Sequence, residues 1–160
     1  MMTESFSIIE VIQLMLAPGI MISACGLLLL GMNNKYSLIV NRIRILNEEK
    51  RRFVNKAAEK DFSYEETIRL ESISRQLSAL TYRVKLVRNA VFFYTTAVAL
   101  FVLTSLFIGI QYLSEFQKLN YLIITLFLVG MIAVLAGVIF AAYETIKGYQ
   151  IIHLEVKSDE

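Results

Sequence analysis

Residues 25–52 read CGLLLLGMNNKYSLIVNRIRILNEEKRR. An uncharged, greasy run turns here into a basic helix striped with apolar residues, with no proline between the two. A helix needs about 20 apolar residues to cross a hydrocarbon core of about 30 Å, and the uncharged run extends back from Met32 far enough to supply them. The stretch therefore predicts a membrane span, residues 11–32, that continues into a polar arm.

Two more uncharged runs of spanning length follow, at 90–113 and 121–143. Across all 160 residues, 56% are hydrophobic and 19% charged, and the mean hydropathy is +0.58. That composition lies outside the soluble globular range. Pro18, the chain's single proline, removes a backbone donor from the first span and predicts a kink about one turn before it. No Lys or Arg precedes Lys35, so the first span lacks the basic leader of a secretory signal and is expected to be retained. Ile22-Ser23-Ala24-Cys25 has the form of a lipoprotein cleavage site, but cleavage there would leave 26–32 as an apolar stub. With one cysteine, no intrachain disulfide can form.

Of 16 Lys and Arg residues, 13 fall between positions 33 and 89. The positive-inside rule places that segment in the cytoplasm. The expected order is an outer N-terminal tail (1–10), a first span (11–32), a cytoplasmic segment (33–89), a second span (90–113), an outer loop (114–120) holding Lys118, a third span (121–143) and a cytoplasmic tail (144–160). The N terminus is then outside and the C terminus inside.

The 33–89 segment is helical in both halves by periodicity. Tyr36, Ile39, Ile43, Leu46, Phe53 and Ala57 recur at 3-4 spacing, as do Leu70, Ile73, Leu77, Leu80, Val84 and Val87, with Lys50 a polar exception on the first seam. Asp61-Phe62-Ser63 breaks the run, and Ser63 with Glu66 forms a capping box. Folding there matches the two seams, sets Ile39 near Val84 and Leu46 near Leu77, and brings Lys50 within reach of Glu71. The expected fold is all-α: an integral membrane protein of three transmembrane helices with an antiparallel cytoplasmic coiled-coil hairpin between the first two. From Asn33 to Lys60 the arm would extend about 42 Å at 1.5 Å per residue.

The chain offers little for catalysis. It has one His, one Cys, and no carboxylate within the spans, so zinc, nucleophilic and acid–base chemistry lack convergent groups. His153 sits among Ile151, Ile152 and Leu154 as a tail residue. No phosphate-binding glycine loop is present. No enzyme activity, cofactor, metal or nucleic-acid partner is expected.

Three groups of residues stand out instead. Lys35, Arg42, Arg44, Arg83, Lys85 and Arg88 form a membrane-proximal cationic set, suited to anionic headgroups at about 1 kcal/mol each near the surface, or to a pore vestibule. Gly19, Ser23 and Gly26 in the first span, and Gly130, Ala133, Gly137 and Ala141 in the third, form small-residue stripes that permit close helix packing, within the chain or between copies. Pro18, Asn33, Asn34 and Asn41 are candidate gate or pore-lining residues, Asn34 and Asn41 being one heptad apart.

Pro18, Ile22-Ser23, the block Leu27 to Leu30, Asn34-Lys35 and Asn41-Arg42-Ile43-Arg44 carry a resemblance to a family of short bacterial membrane proteins known as domain of unknown function 2721. The resemblance extends over most of the chain in span order. It implies a bacterial cytoplasmic membrane and a three-span fold, and brings no activity or functional residue. The family's pattern favours Arg at the position of Lys35. The expected function is that of a non-enzymatic, homo-oligomeric scaffold or adaptor working through its rigid arm, with anionic lipids and a cytoplasmic protein as partners. The alternative is a small oligomeric ion channel, anion-preferring, lined by the first span.

Overall fold

The computed structural model describes residues 8–57, 64–114 and 119–158. The turn at 61–63 with its Ser63 cap, Lys118 in the 114–120 loop and residues 1–7 of the N-terminal tail lie outside the described residues; so do the side chains of Ala57 and of 149–158, including His153.

Three long helices account for the described residues: α1 (Ile8–Ala57), α2 (Tyr64–Ser114) and α3 (Asn120–Ser158). Each contains a window long and apolar enough to cross a membrane, the make-up of a multi-pass membrane protein. Acids open α1 and α2, and Lys56 sits in the last turn of α1, all complementing the helix dipole. Pro18 lies inside α1, which runs on past it. One turn later the Ser23 hydroxyl donates to the Gly19 carbonyl at 3.2 Å.

Most buried positions follow a seven-residue step. On α1 the buried positions are Pro18, Cys25, Met32, Ile39 and Leu46. On α2 the series Ile73, Leu80, Val87, Tyr94 and Phe101 is joined by Ala90, Ala97 and Thr104. On α3, Gly130, Gly137 and Glu144 take the step. A side chain returns to the same face every two turns when the hydrophobic period is 3.5 residues, the period of a left-handed supercoil. Only 11% of the apolar window of α1 is buried, against 28% for α2, so α2 is the more enclosed helix.

The chain divides into two compact units. The first comprises Met1–Gly31 and Ala90–Ile139. Its core is Cys25, Ala97, Phe101 and Ala133, ringed by Met21, Ile22, Phe93, Val98, Phe127 and Val134. The glycines of α3 make this core possible. A Cβ on Gly137 would lie 2.6 Å from the Tyr94 ring, and one on Gly130 would lie 2.8 Å from the Phe101 ring. Each ring seats on a glycine, and the two pairs step seven residues in opposite directions, which sets α2 and α3 antiparallel. Phe127 tilts against Phe101 with centroids 5.5 Å apart. Buried Thr104 directs its hydroxyl to the Leu100 carbonyl at 2.8 Å, and the Gln111 amide donates to the Asn120 side-chain oxygen near the helix ends.

The second unit comprises Met32–Asn89 and Phe140–Glu160. Its buried apolar residues are Met32, Ile39, Leu46, Ile73, Leu80, Leu86 and Val87. Of the two predicted seams the alternate positions Ile43, Leu77 and Val84 are only half-buried and Tyr36 is exposed. The polar tie between the two arms also differs from expectation. Glu71 binds Arg75 one turn along its own helix at 2.6 Å, a geometry the helix presets, rather than Lys50. Between the α1 and α2 arms, Arg69 pairs with Glu49 at 3.0 Å.

Candidate functional site

Among the described residues, Glu144 is the one acidic side chain in the core, with a relative exposure of 0%. It follows the uncharged 121–143 run and occupies the next seven-residue step after Gly130 and Gly137. All three helices meet at it. From α2, the Arg83 guanidinium donates twice to Oε1, from Nε at 3.1 Å and Nη2 at 2.7 Å. From α1, the Lys35 ammonium donates to Oε2 at 3.0 Å. Both carboxylate oxygens are thereby satisfied by charged donors, the stronger class of hydrogen bond.

The neighbouring residues of α3 complete the arrangement. Thr145 Oγ1 accepts from Lys35 at 2.9 Å and donates to the Ala141 carbonyl at 3.0 Å. Gly148, one turn beyond Glu144, is buried, and a Cβ there would stand 2.8 Å from Arg83 Nη2. This is a third large-on-glycine pair, with an arginine in place of a ring.

Burial alone would raise the Glu144 carboxyl by desolvation. The hydrogen bonds and charges of Arg83 and Lys35 outweigh that and hold it below the usual carboxylate range. The two arms of the cluster are unequal. The Arg83 side chain is 21% exposed and makes two bonds; that of Lys35 is 43% exposed and makes one to the carboxylate.

Two of the six membrane-proximal cations are thus engaged with a buried acid. Arg42, Arg44, Lys85 and Arg88 stay exposed. Asn33, Asn34 and Asn41 are exposed on α1, and Pro18 is buried. The α3 stripe is taken up inside the chain, with Gly130, Ala133 and Gly137 buried and Ala141 half-buried. The α1 stripe is not: added Cβ atoms on Gly19 and Gly26 would meet nothing within 4 Å.

Glu144, Thr145 and Gly148 were not singled out by sequence reasoning. The available signal was the seven-residue spacing of Gly130, Gly137 and Glu144. Among the described residues no three His, Cys, Asp or Glu side chains converge as metal ligands. Chemically the cluster is a charge clamp: a polar group at a seam position fixes register at a cost in stability.

The family whose sequence model is described as "Protein of unknown function (DUF2721)" matches residues 15–154, and the chain belongs to that family. No curated protein and no solved structure matches it.

Proposed function

We propose that the protein is a non-enzymatic, homo-oligomeric membrane scaffold whose α1 and α2 arms form an antiparallel coiled-coil hairpin on the cytoplasmic side of a bacterial inner membrane, with the N terminus outside. The observation that carries this reading is the seven-residue burial step, which runs from Pro18 to Leu46 on α1 and from Ile73 to Phe101 on α2. It passes from the apolar segments into the charged arms without a break. A repeat of that kind makes a stiff rod, and a rod attached to a membrane span holds a partner at a set distance.

Glu144 supports the same reading. A buried ion cluster contributes little net stability, and register control is its best-attested use. Here it fastens α1, α2 and α3 within one unit. The clustering of Lys and Arg at 33–89 supports the orientation. Self-association draws on the α1 face with its open glycines, a packing surface of the small-residue kind.

Deleting residues 48–75 tests the proposal. The shortened chain is expected to insert normally, while losing a co-purifying partner or changing its oligomer size. Unchanged assembly and unchanged partners would rule the scaffold out.

A second reading has one observation in its favour. Asn33, Asn34 and Asn41 are exposed on α1 beyond the open Gly19 and Gly26 positions, so a ring of copies would present amides around an axis. That arrangement is an ion channel, with the basic set biasing it toward anions. Planar-bilayer recording distinguishes it: no conductance across voltage, tension and pH would exclude it.

A further inference from the structure

The Glu144 cluster is not electrically balanced. Lys35 and Arg83 bring two positive charges to one carboxylate, so one positive charge is left over. Lys35 presents that surplus, because its side chain is 43% exposed while that of Glu144 is 1% exposed. An ammonium has three N–H donors. Two are spent, on Glu144 Oε2 and Thr145 Oγ1, and one remains.

The surroundings fit a headgroup layer. Lys35 lies three residues past the uncharged 11–32 run, and Glu144 directly after the 121–143 run. Tyr36, Tyr143 and Ile146 are exposed in the same unit, and Lys147 lies over the Tyr143 ring at 5.7 Å. Aromatic and cationic side chains at the ends of apolar helices are the composition of a membrane–water interface.

We infer that Lys35 is the docking point for one anionic phospholipid per chain, whose phosphodiester accepts the third ammonium hydrogen bond and neutralises the surplus charge. The inference deepens the membrane-scaffold reading by naming a lipid partner at its clamp. A net-anionic lipid satisfies the charge balance, whereas a zwitterionic lipid brings its own cation and leaves the surplus in place. Exposed apolar side chains beside the site give the acyl chains a surface, which sets a lipid apart from a free anion.

The test is native mass spectrometry of the full chain released from micelles holding equal phosphatidylglycerol and phosphatidylcholine of matched acyl chains. One retained phosphatidylglycerol per chain is expected. Lys35→Gln should cut retention about tenfold, the equivalent of one charge-assisted hydrogen bond, and Lys35→Arg should keep it. Arg52→Gln, which removes an exposed cation of α1 outside the membrane-proximal set, should leave it unchanged. Glu144→Gln supplies a sign test: losing the carboxylate charge doubles the surplus and should raise retention, whereas a purely structural cluster predicts a loss.

Equal retention of both lipids, a Lys35→Gln variant that holds lipid like the wild type, or displacement of the lipid by inorganic phosphate would each overturn the assignment. Circular dichroism of each variant establishes that it is folded. The outcome is separable from that of the scaffold proposal, since deleting residues 48–75 removes none of Lys35, Arg83 and Glu144.

Discussion

Replacing Glu144 by methionine removes the carboxylate from a site where Arg83 is 21% exposed and Lys35 is 43% exposed. Arg83 then loses both bonds that compensate its burial. Taking one partner out of a buried ion pair costs about 3–5 kcal/mol, and Glu144→Met should fall in that range. Arg83→Met should cost about 3 kcal/mol, because Glu144 stays buried with Lys35 alone. Lys35→Met should cost no more than about 1 kcal/mol, since a half-exposed lysine is screened and rehydrates readily. The three costs must not add. In the triple methionine variant no charge is left buried, and exchanging a buried ionic group for apolar residues of similar volume is commonly neutral or stabilising. Unfolding in detergent by urea, followed by far-UV circular dichroism, measures all four variants without the added salt that guanidinium would bring. A Glu144→Met cost below about 1 kcal/mol, or a triple variant as unstable as the sum of its singles, would refute a buried clamp.

Gly137→Ala should destabilise by about 1–3 kcal/mol because its Cβ would enter the Tyr94 ring at 2.6 Å and Tyr94 is itself 1% exposed; Gly26→Ala, with nothing within 4 Å, should be neutral or slightly stabilising in the same unfolding assay. Gly148→Ala should displace the Arg83 guanidinium and reproduce part of the Arg83→Met loss, also read by unfolding. For pH, a carboxyl whose folded pKa is depressed contributes stability that is fully present above its unfolded pKa of about 4.3 and lost as pH falls through the folded value. The stability gap between wild type and Glu144→Gln should therefore be constant from neutral pH down to about 5 and close only on stronger acidification. Glu49→Gln, which removes the carboxylate from a pair exposed at 50% and 31%, should change stability by less than about 1 kcal/mol, and the difference should vanish in high salt.

The three helices and their apolar segments were legible in the sequence because spanning length and absence of charge are local properties, readable from runs of residues. The 3-4 periodicity also located residues that are buried, such as Ile39, Leu46, Ile73 and Leu80. It did not separate them from Ile43 and Leu77, which share the apolar character and are half-buried. Hydrophobicity marks a broad stripe, whereas the packing partner decides which edge of the stripe is enclosed. The partner of Glu71 was missed for a related reason: an arginine one turn away on the same helix competes on geometry that a long-range pairing cannot match.

The charge clamp was less accessible. Lys35, Arg83 and Glu144 are separated by 61 and 109 positions from their partners, so no local pattern joins them. The cationic set read as a uniform patch because all six residues have the same sign. The distinction between Lys35 and Arg83, engaged with the acid, and Arg44, Lys85 and Arg88, exposed, exists only once α3 is placed. Likewise the two small-residue stripes look alike in sequence, yet one receives Phe101 and Tyr94 and the other receives nothing. What separates them is the size of the residues opposite.

The most direct test of the clamp is a through-space nitrogen–carbon coupling measurement by solid-state NMR on the full chain in lipid bilayers, with arginine nitrogens and glutamate carboxyl carbons labelled. A strong coupling between the Arg83 guanidinium and the Glu144 carboxyl is expected, assigned by its disappearance in both Arg83→Met and Glu144→Met. A Glu144 carboxyl that couples to no arginine nitrogen and exchanges with bulk water would contradict it.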